Sequence, residues 1–492
     1  MPLRFRSRIT AAAALVALGV TRPLPLRAQQ PMTLSQAVAL AQQQGLQARA
    51  ARAARDAARY RHGAFSARLL PQLSLSGDVP SYNRSIIPVI QPDGTTLFRA
   101  QQQTNADLTM TLSQQLPITG GNLFVSSSLA RYKVSGALPF ETWSSAPVVV
   151  GLRQSIFRPN TAGWDRREQD LQADLAERTY LEAMETIALQ TTGTFFDVYA
   201  AQVGLENARK NAAVNDSLYT LNTGRYQIGK IAENELLKSE LALLQARNAQ
   251  QGAQLEFDRG LAALKLALNV SPETPLEIAV STSVPDVRPD TAKAVAEALR
   301  NRAAVSQVAL QDVQARREVA VAKLSTGVGA TIQASYGLNA TASDANLVYR
   351  NLLEAQQFTL SVQVPLWQWG AHSQGVQAAQ ADQRQEASLS EAALEQAAHD
   401  AHFAALALEQ ARRTVALSAK ADTVAGKRFD VAYNRYRIGR ITIENLYIAQ
   451  QEKDQALTDF VRALRGYWIA YYDLRRLTLY DFDAGQPIGT PQ

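Results

Sequence analysis

The chain has 492 residues, 46% hydrophobic and 19% charged, a globular composition long enough for two or three ordinary domains. Its formal charge of +6 would suit an acidic partner, but residues 1–28 hold Arg4, Arg6, Arg8, Arg22 and Arg27 and no acid. The rest carries about +1, so charge gives no argument for a nucleic-acid partner; the absence of cysteine excludes disulfides, thiolate-bound metals and thiol chemistry.

Residues 1–28 read as a secretory signal peptide: a basic start, an apolar run over 9–20, and Ala28 before the cut. The run is too short to cross a bilayer of roughly 30 Å as a helix. Leu26 makes the cleavage pattern imperfect, and an N-terminal membrane anchor is the alternative. No later run reaches ~18 apolar residues, which excludes a transmembrane helix. An exported chain of this kind is soluble or a β-barrel.

Helix-forming sequence runs from about 33 to 67, and a β-rich region follows to about 157. A helical pattern over about 164–227 breaks at Gly229 and resumes over 231–268. Residues 269–290, with Pro272, Pro275, Pro285 and Pro289, read as a linker or equatorial segment. The order then repeats: helix over 291–324, strands over 329–366, helices over 373–437 and 441–479, and a tail at 481–492. The predicted organisation is a first repeat at 29–268 with strands about 69–157, and a second at 291–480.

The repeat is written most clearly at the helix breaks. Arg225-Tyr226-Gln227-Ile228-Gly229-Lys230-Ile231 recurs 210 residues later as Arg435-Tyr436-Arg437-Ile438-Gly439-Arg440-Ile441. The helix before each break is ~64 residues, hence ~96 Å long, and two helices of about half that length stack beside it. Apolar spacing at Leu181, Met184, Ile187, at Leu237, Leu241, Leu244, and at Leu261, Leu264, Leu268 predicts packing along one face.

The strands alternate. Phe358, Leu360, Val362, Val364 and Leu366 face one way, against Thr359, Ser361 and Gln363. Ile332, Ala334, Tyr336 and Leu338 do the same, as do Leu108, Met110 and Leu112. Such alternation suits a transmembrane barrel, with lipid outside and water inside, and equally any sheet with one buried face.

On these features the chain resembles the TolC-like outer-membrane efflux proteins. The carrying segments are residues 33–41 as the opening helix motif, 69–73 as a helix-to-strand junction, 152–157 and 362–367 as strand-to-helix exits, and the two Tyr-x-Ile-Gly turns. The resemblance implies a mainly α fold with a transmembrane β-barrel, a channel-tunnel in two repeats. It implies a homotrimer in outer-membrane lipid, four strands per protomer in a 12-stranded barrel, and a tunnel docking on a periplasmic adaptor and an inner-membrane pump. One departure is the first strand region, about 94 residues against about 45, with an extra candidate hairpin over 105–134. That hairpin either enlarges the barrel or projects outside the cell.

No catalytic constellation, phosphate loop or cofactor motif is visible, so no enzyme activity and no cofactor are expected. Of the four histidines, His62, His372, His399 and His402, the last two share a helical face but lack further ligands. Trp367 and Trp369 suit an interfacial belt or junction packing.

The tips carry the functional expectation. Gly229 and Gly439 are explained by a tight helix stop. Arg225, Tyr226, Gly229, Lys230, Arg435 and Gly439 are the expected adaptor-contacting set, and Glu235, Tyr436, Arg440, Glu444 and Asn445 the expected aperture residues. The resemblance places an acidic residue six positions after each tip glycine; Glu235 keeps it and Asn445 does not. Ile441 replaces a basic residue while Arg440 sits one earlier, which predicts different wiring. The expected function is passive exit from the periplasm, in efflux or type I secretion. The competing class is a periplasmic adaptor or structural coiled-coil protein.

Overall fold

The computed structural model describes residues 31–136 and 139–489, so the signal-peptide reading of 1–28 lies outside them. The first repeat comprises α1 (Leu34–Gln44), α2 (Leu46–Arg68), β1 (Gln72–Ser76), β2 (Ser81–Ile90), β3 (Thr96–Leu116), β4 (Gly121–Ser135), β5 (Phe140–Ile156), α3 (Thr161–Gln227) and α4 (Glu233–Ala267). The second comprises α5 (Thr291–Asn301), α6 (Ala303–Ser325), β6 (Gly329–Ala342), β7 (Leu353–Gln363), α7 (Ala371–Arg437) and α8 (Ile443–Thr478). A short pair, β8 (Tyr480–Asp481) and β9 (Gln486–Pro487), closes the described chain.

Helix lengths match between the repeats: 11 residues for α1 and α5, 23 for α2 and α6, 67 for α3 and α7, and 35 and 36 for α4 and α8. Each 67-residue helix spans about 100 Å. Capping fixes several starts. Thr33 and Gln36 form a reciprocal capping box on α1, and Asn160 accepts from the Gly163 amide on α3. Equivalent helices start 257 residues apart before the sheet and 210 after it, so the first strand region is 47 residues longer.

The single helices expected over 33–67 and 291–324 are each broken, at Gly45 and Arg302, both with ψ 147°. Side chains from other helices satisfy the second break. Glu182 on α3 accepts from the Ala303 amide at 2.9 Å, and the Arg302 guanidinium lies between Glu182 and Asp400. Such support is tertiary, and helical periodicity does not register it.

β1 to β7 form one antiparallel sheet. β1 and β2 both pair with β3, Gln72–Ser76 running opposite 113–109 and Ser81–Ile90 opposite 105–96. They are therefore one strand position interrupted at 77–80. The sheet has six positions in the order β1/β2, β3, β4, β5, β6, β7, which corrects the four implied by the resemblance. The extra hairpin is β3–β4, and it lies within the sheet. Its turn sits at the helical end, where Asn160 donates to the Pro117 and Ile118 carbonyls at 2.7 and 3.0 Å and Gln154 donates to the Thr119 carbonyl at 2.8 Å. At the other end the β2–β3 hairpin outruns β4, whose Ser135 lies opposite Gln102.

The alternation is continuous across all six positions. Leu73, Leu112, Val125, Val150, Tyr336 and Gln356 lie opposite one another in one row. The next row on that face toward the helices is Gln114, Leu123, Leu152, Ala334 and Phe358. On the other face, the row next to the first on the side away from the helices is Ser74, Thr111, Ser126, Val149 and Gly337. One face is predominantly apolar and the other predominantly small and polar.

Below the sheet the helices lie side by side as α2–α3–α6–α7, and toward the tips as α4–α3–α8–α7. The main core sits at mid-length, where Phe195, Phe196, Leu264, Leu268, Leu408, Leu464 and Tyr467 are buried. The 269–290 segment closes against it through Val270, Leu276, Ile278 and Val287, and exchanges main-chain hydrogen bonds with Met32. The expected stripe Leu261, Leu264, Leu268 packs there. Leu237, Leu241 and Leu244 stay 54–57% exposed. In the tip half of α4 the buried positions are Ser239 and Leu243, a stripe rotated by about one residue.

Candidate functional site at the hairpin tips

The two tips are built alike. The Gly229 amide donates to the Tyr226 carbonyl and the Lys230 amide to that of Arg225; the Gly439 and Arg440 amides repeat this with Tyr436 and Arg435. This pattern satisfies the last helix carbonyls and demands a left-handed residue. Gly229 and Gly439 supply it at φ +71° and +74°, with open space where a Cβ would go.

Contacts between the two hairpins set the site apart. Leu218, Phe429, Tyr436, Ile443 and Leu446 bury an apolar cluster between α3 and the α7–α8 hairpin. At its edge the Tyr436 hydroxyl donates to Asn222 Oδ1 at 2.7 Å, both residues being buried. Burial pushes the Tyr436 phenol up, so it stays protonated at neutral pH. Arg225 lies over the Tyr436 ring, 5.2 Å from its centroid, and donates to the Arg437 carbonyl at 3.0 Å and the Tyr436 carbonyl at 3.3 Å. A cation from α3 thus caps the negative end of α7.

A second tie joins α4 to α8, where Lys238 Nζ meets Glu444 Oε1 at 2.6 Å. The Lys238 ammonium, with help from the residue's own backbone and Thr442, holds the Glu444 carboxyl down at about 2. Farther up, Asp454 accepts from Asn207 and Asn211 at 2.8 and 2.7 Å. The same α3–α8 seam buries Asn215. Asn211 Oδ1, Asn215 Oδ1, Asn222 Nδ2, Tyr447 Oη and Gln450 Oε1 there are buried without hydrogen-bond partners among the described residues. Burial also pushes the Tyr447 phenol up to about 12. This seam between the hairpins is polar, in contrast to the apolar mid-length core.

Of the residues singled out from sequence, Arg225, Tyr436 and Glu444 stand in cross-hairpin contacts. Glu235 is half-buried and close enough to raise the Tyr436 phenol. Asn445 bonds only to Thr442 in its own first turn. Tyr226, Lys230, Arg435 and Arg440 are exposed at the turns. Asn222, Lys238 and Asp454 were missed. Asn222 had a faint signal, lying three residues before Arg225 on one helical face.

Elsewhere, His399 and His402 both contact the Phe403 ring, and His62 meets Asp170 at 3.2 Å. No group of three or more metal-ligating side chains occurs among the described residues. Trp367 and Trp369 stand exposed beyond β7 with ring centroids 5.1 Å apart.

Two duplicated hairpins of about 100 Å helices, joined to a two-faced antiparallel sheet, define the TolC-like channel-tunnel fold. Among solved structures, the CmeC outer membrane channel of Campylobacter jejuni superposes with TM-score 0.65 at 16% identity, covering 93% of this chain and 87% of that one. The outer membrane protein VceC of Vibrio cholerae gives 0.65 at 14% identity, with 90% and 95% covered. The open-state MtrE outer membrane channel of Neisseria gonorrhoeae gives 0.63 at 14%, with 93% and 91% covered. Among curated proteins, Protein CyaE of Bordetella pertussis is 26% identical over 251 residues. The match takes in 50% of this chain and spans about half the length of that relative, 52%. No family model matches.

Proposed function

We propose that this chain is an outer-membrane channel that assembles as a homotrimer and conducts substrates passively from the periplasm to the exterior, as the exit duct of an efflux or type I secretion system. The observation that carries this reading is the sheet with one apolar face continued by helices of about 100 Å. An apolar outer band with a polar lumen suits lipid outside and water inside. The helices then reach across the periplasm, and their basic tips meet an adaptor belonging to an inner-membrane pump. No bond chemistry is involved; the pump supplies the energy.

The two lateral edges of the helical layer support assembly with copies of the same chain. On α7 and its C-cap, Leu417, Val424, Val431 and Ile438 form an exposed stripe at seven-residue spacing along the tip half. At the opposite edge α4 exposes Leu237, Leu241 and Leu244. Packing α7 of one copy against α4 of the next buries both and closes a ring. Tip contacts between the hairpins hold the inner end narrow, and their loss widens it.

The test is fractionation followed by planar-bilayer recording. A detergent-stable trimer in outer membranes, with single-channel conductance that rises when the tip contacts are removed, is the expected result. A soluble monomer would overturn the reading.

A further inference from the structure

We infer that each copy contributes six strands to the barrel wall, so that the trimer closes an 18-stranded barrel rather than a 12-stranded one. This rests on the channel reading above and goes beyond it by fixing the wall and the seam between copies.

The first ground is register. β3 and β4 are not appended to the sheet's edge; they separate β1/β2 from β5. Leu112 and Val125 fall in the same row, on the same face, as Val150 and Tyr336. Thr111 and Ser126 fall in the polar row with Val149 and Gly337. A hairpin folded outside the wall would have no reason to keep one apolar face in step with it.

The second ground is fit to the helices. Four helices lie side by side beneath the sheet, and at 8–10 Å between axes they occupy an arc of about 32–40 Å. Strands about 4.8 Å apart and tilted ~40° each take about 6 Å of circumference. Six strands then span about 38 Å, matching the helical arc, whereas four would span about 25 Å. The turn of the added pair is tied to the start of α3 by Asn160 rather than continued into a helix of its own.

The third ground is the pair of open edges. Among the described residues β7 pairs only with β6, and β1 and β2 only with β3. In hydrocarbon an unpaired strand edge is prohibitive. β1/β2 runs away from the helices and β7 returns toward them, so β7 of one copy meets β1/β2 of the next antiparallel. The occupant that continues both the apolar band and the strand direction is a second copy of this chain. Three copies give a barrel about 36 Å across, about 1.5-fold wider than the roughly 24 Å of twelve strands at the same tilt.

The natural absence of cysteine makes the seam directly testable. Cysteine replaces Leu73 together with Gln356, Phe358 or Leu360, one pair per variant, because barrel shear sets the register across the seam. A control variant pairs Leu73→Cys with Val150→Cys, which become neighbours only if β3–β4 leaves the wall. Oxidation in isolated outer membranes is expected to give covalent trimers from at least one seam pair and no intrachain disulfide in the control. An intrachain Leu73–Val150 disulfide, or no seam crosslink in any variant of membrane-embedded protein, would overturn the six-strand wall while leaving the channel standing. Strands counted by electron microscopy of the trimer decide independently: eighteen supports the inference and twelve refutes it. Recovery as a soluble monomer refutes the channel reading itself, and the wall with it.

Discussion

Tyr436 of the second hairpin donates its hydroxyl proton to Asn222 Oδ1 of the first at 2.7 Å, in a site closed to solvent. The bond crosses between two hairpins that are otherwise joined at this level by an apolar cluster and a few charged contacts. A buried polar group deprived of its partner costs roughly 1–3 kcal/mol. Tyr436→Phe should therefore loosen the tip by that order and raise single-channel conductance. Asn222→Ala should do the same, and the double variant should be less than additive. Additive effects would show that the two residues act apart.

Arg225 donates to two main-chain carbonyls from Nη2 while its planar guanidinium lies over the Tyr436 ring, so its role depends on that geometry rather than on charge alone. Arg225→Lys should raise conductance nearly as far as Arg225→Ala. Lys238→Glu should go further, because it turns attraction to Glu444 into repulsion between α4 and α8. Conductance equal to the parent in Lys238→Glu would remove this pair from the aperture.

The sign of the pH dependence follows from Glu444. Its carboxyl is held at about 2, chiefly by Lys238. A carboxylate with a lowered folded-state pKa contributes fully above the unfolded value, about 4.3, and its contribution is lost as pH falls through the folded value. The Lys238–Glu444 tie should thus persist from pH 8 down to about 5, and conductance through this contact should be flat there. A step between pH 5 and 8 that disappears in Glu444→Gln would contradict the assignment.

What was legible in the sequence was set by local chemistry. Gly229 and Gly439 announce the tips because few residues other than glycine take a positive φ cheaply. The 67-residue helices follow from unbroken helix formers, and the strands from period-two alternation. What was not legible depended on which way a helix turns. Along an alanine- and glutamine-rich helix, Leu237-Leu241-Leu244 and Ser239-Leu243 are equally regular stripes, and only packing on α3 selects the second. Lys238 became a tip residue by that same rotation. Arg302 is likewise silent until Glu182 and Asp400 arrive from distant segments.

The tip glycines can be separated from the contacts around them. A Cβ at either position meets open space, so Gly229→Ala and Gly439→Ala each cost only the left-handed conformation, about 1–2 kcal/mol. Thermal unfolding should register this modestly, with the trimer intact. Collapse of the assembly would mean that something touches those glycines in the ring.

The two faces of the extra hairpin give a matched pair of substitutions on one strand. Leu112 lies in the apolar row with Val125 and Val150, and Thr111, one residue away on β3, lies in the polar row. If the row faces lipid, an arginine there costs about 2–4 kcal/mol near the bilayer midplane, whereas a lumen-facing arginine is tolerated. Leu112→Arg and Val150→Arg should therefore both reduce folded, heat-modifiable trimer in the outer membrane, and Thr111→Arg should not. Val150 is the internal standard, because β5 leads directly into α3. If Leu112→Arg assembles as well as Thr111→Arg while Val150→Arg fails, β3 does not face lipid. The apolar band would then end at β5.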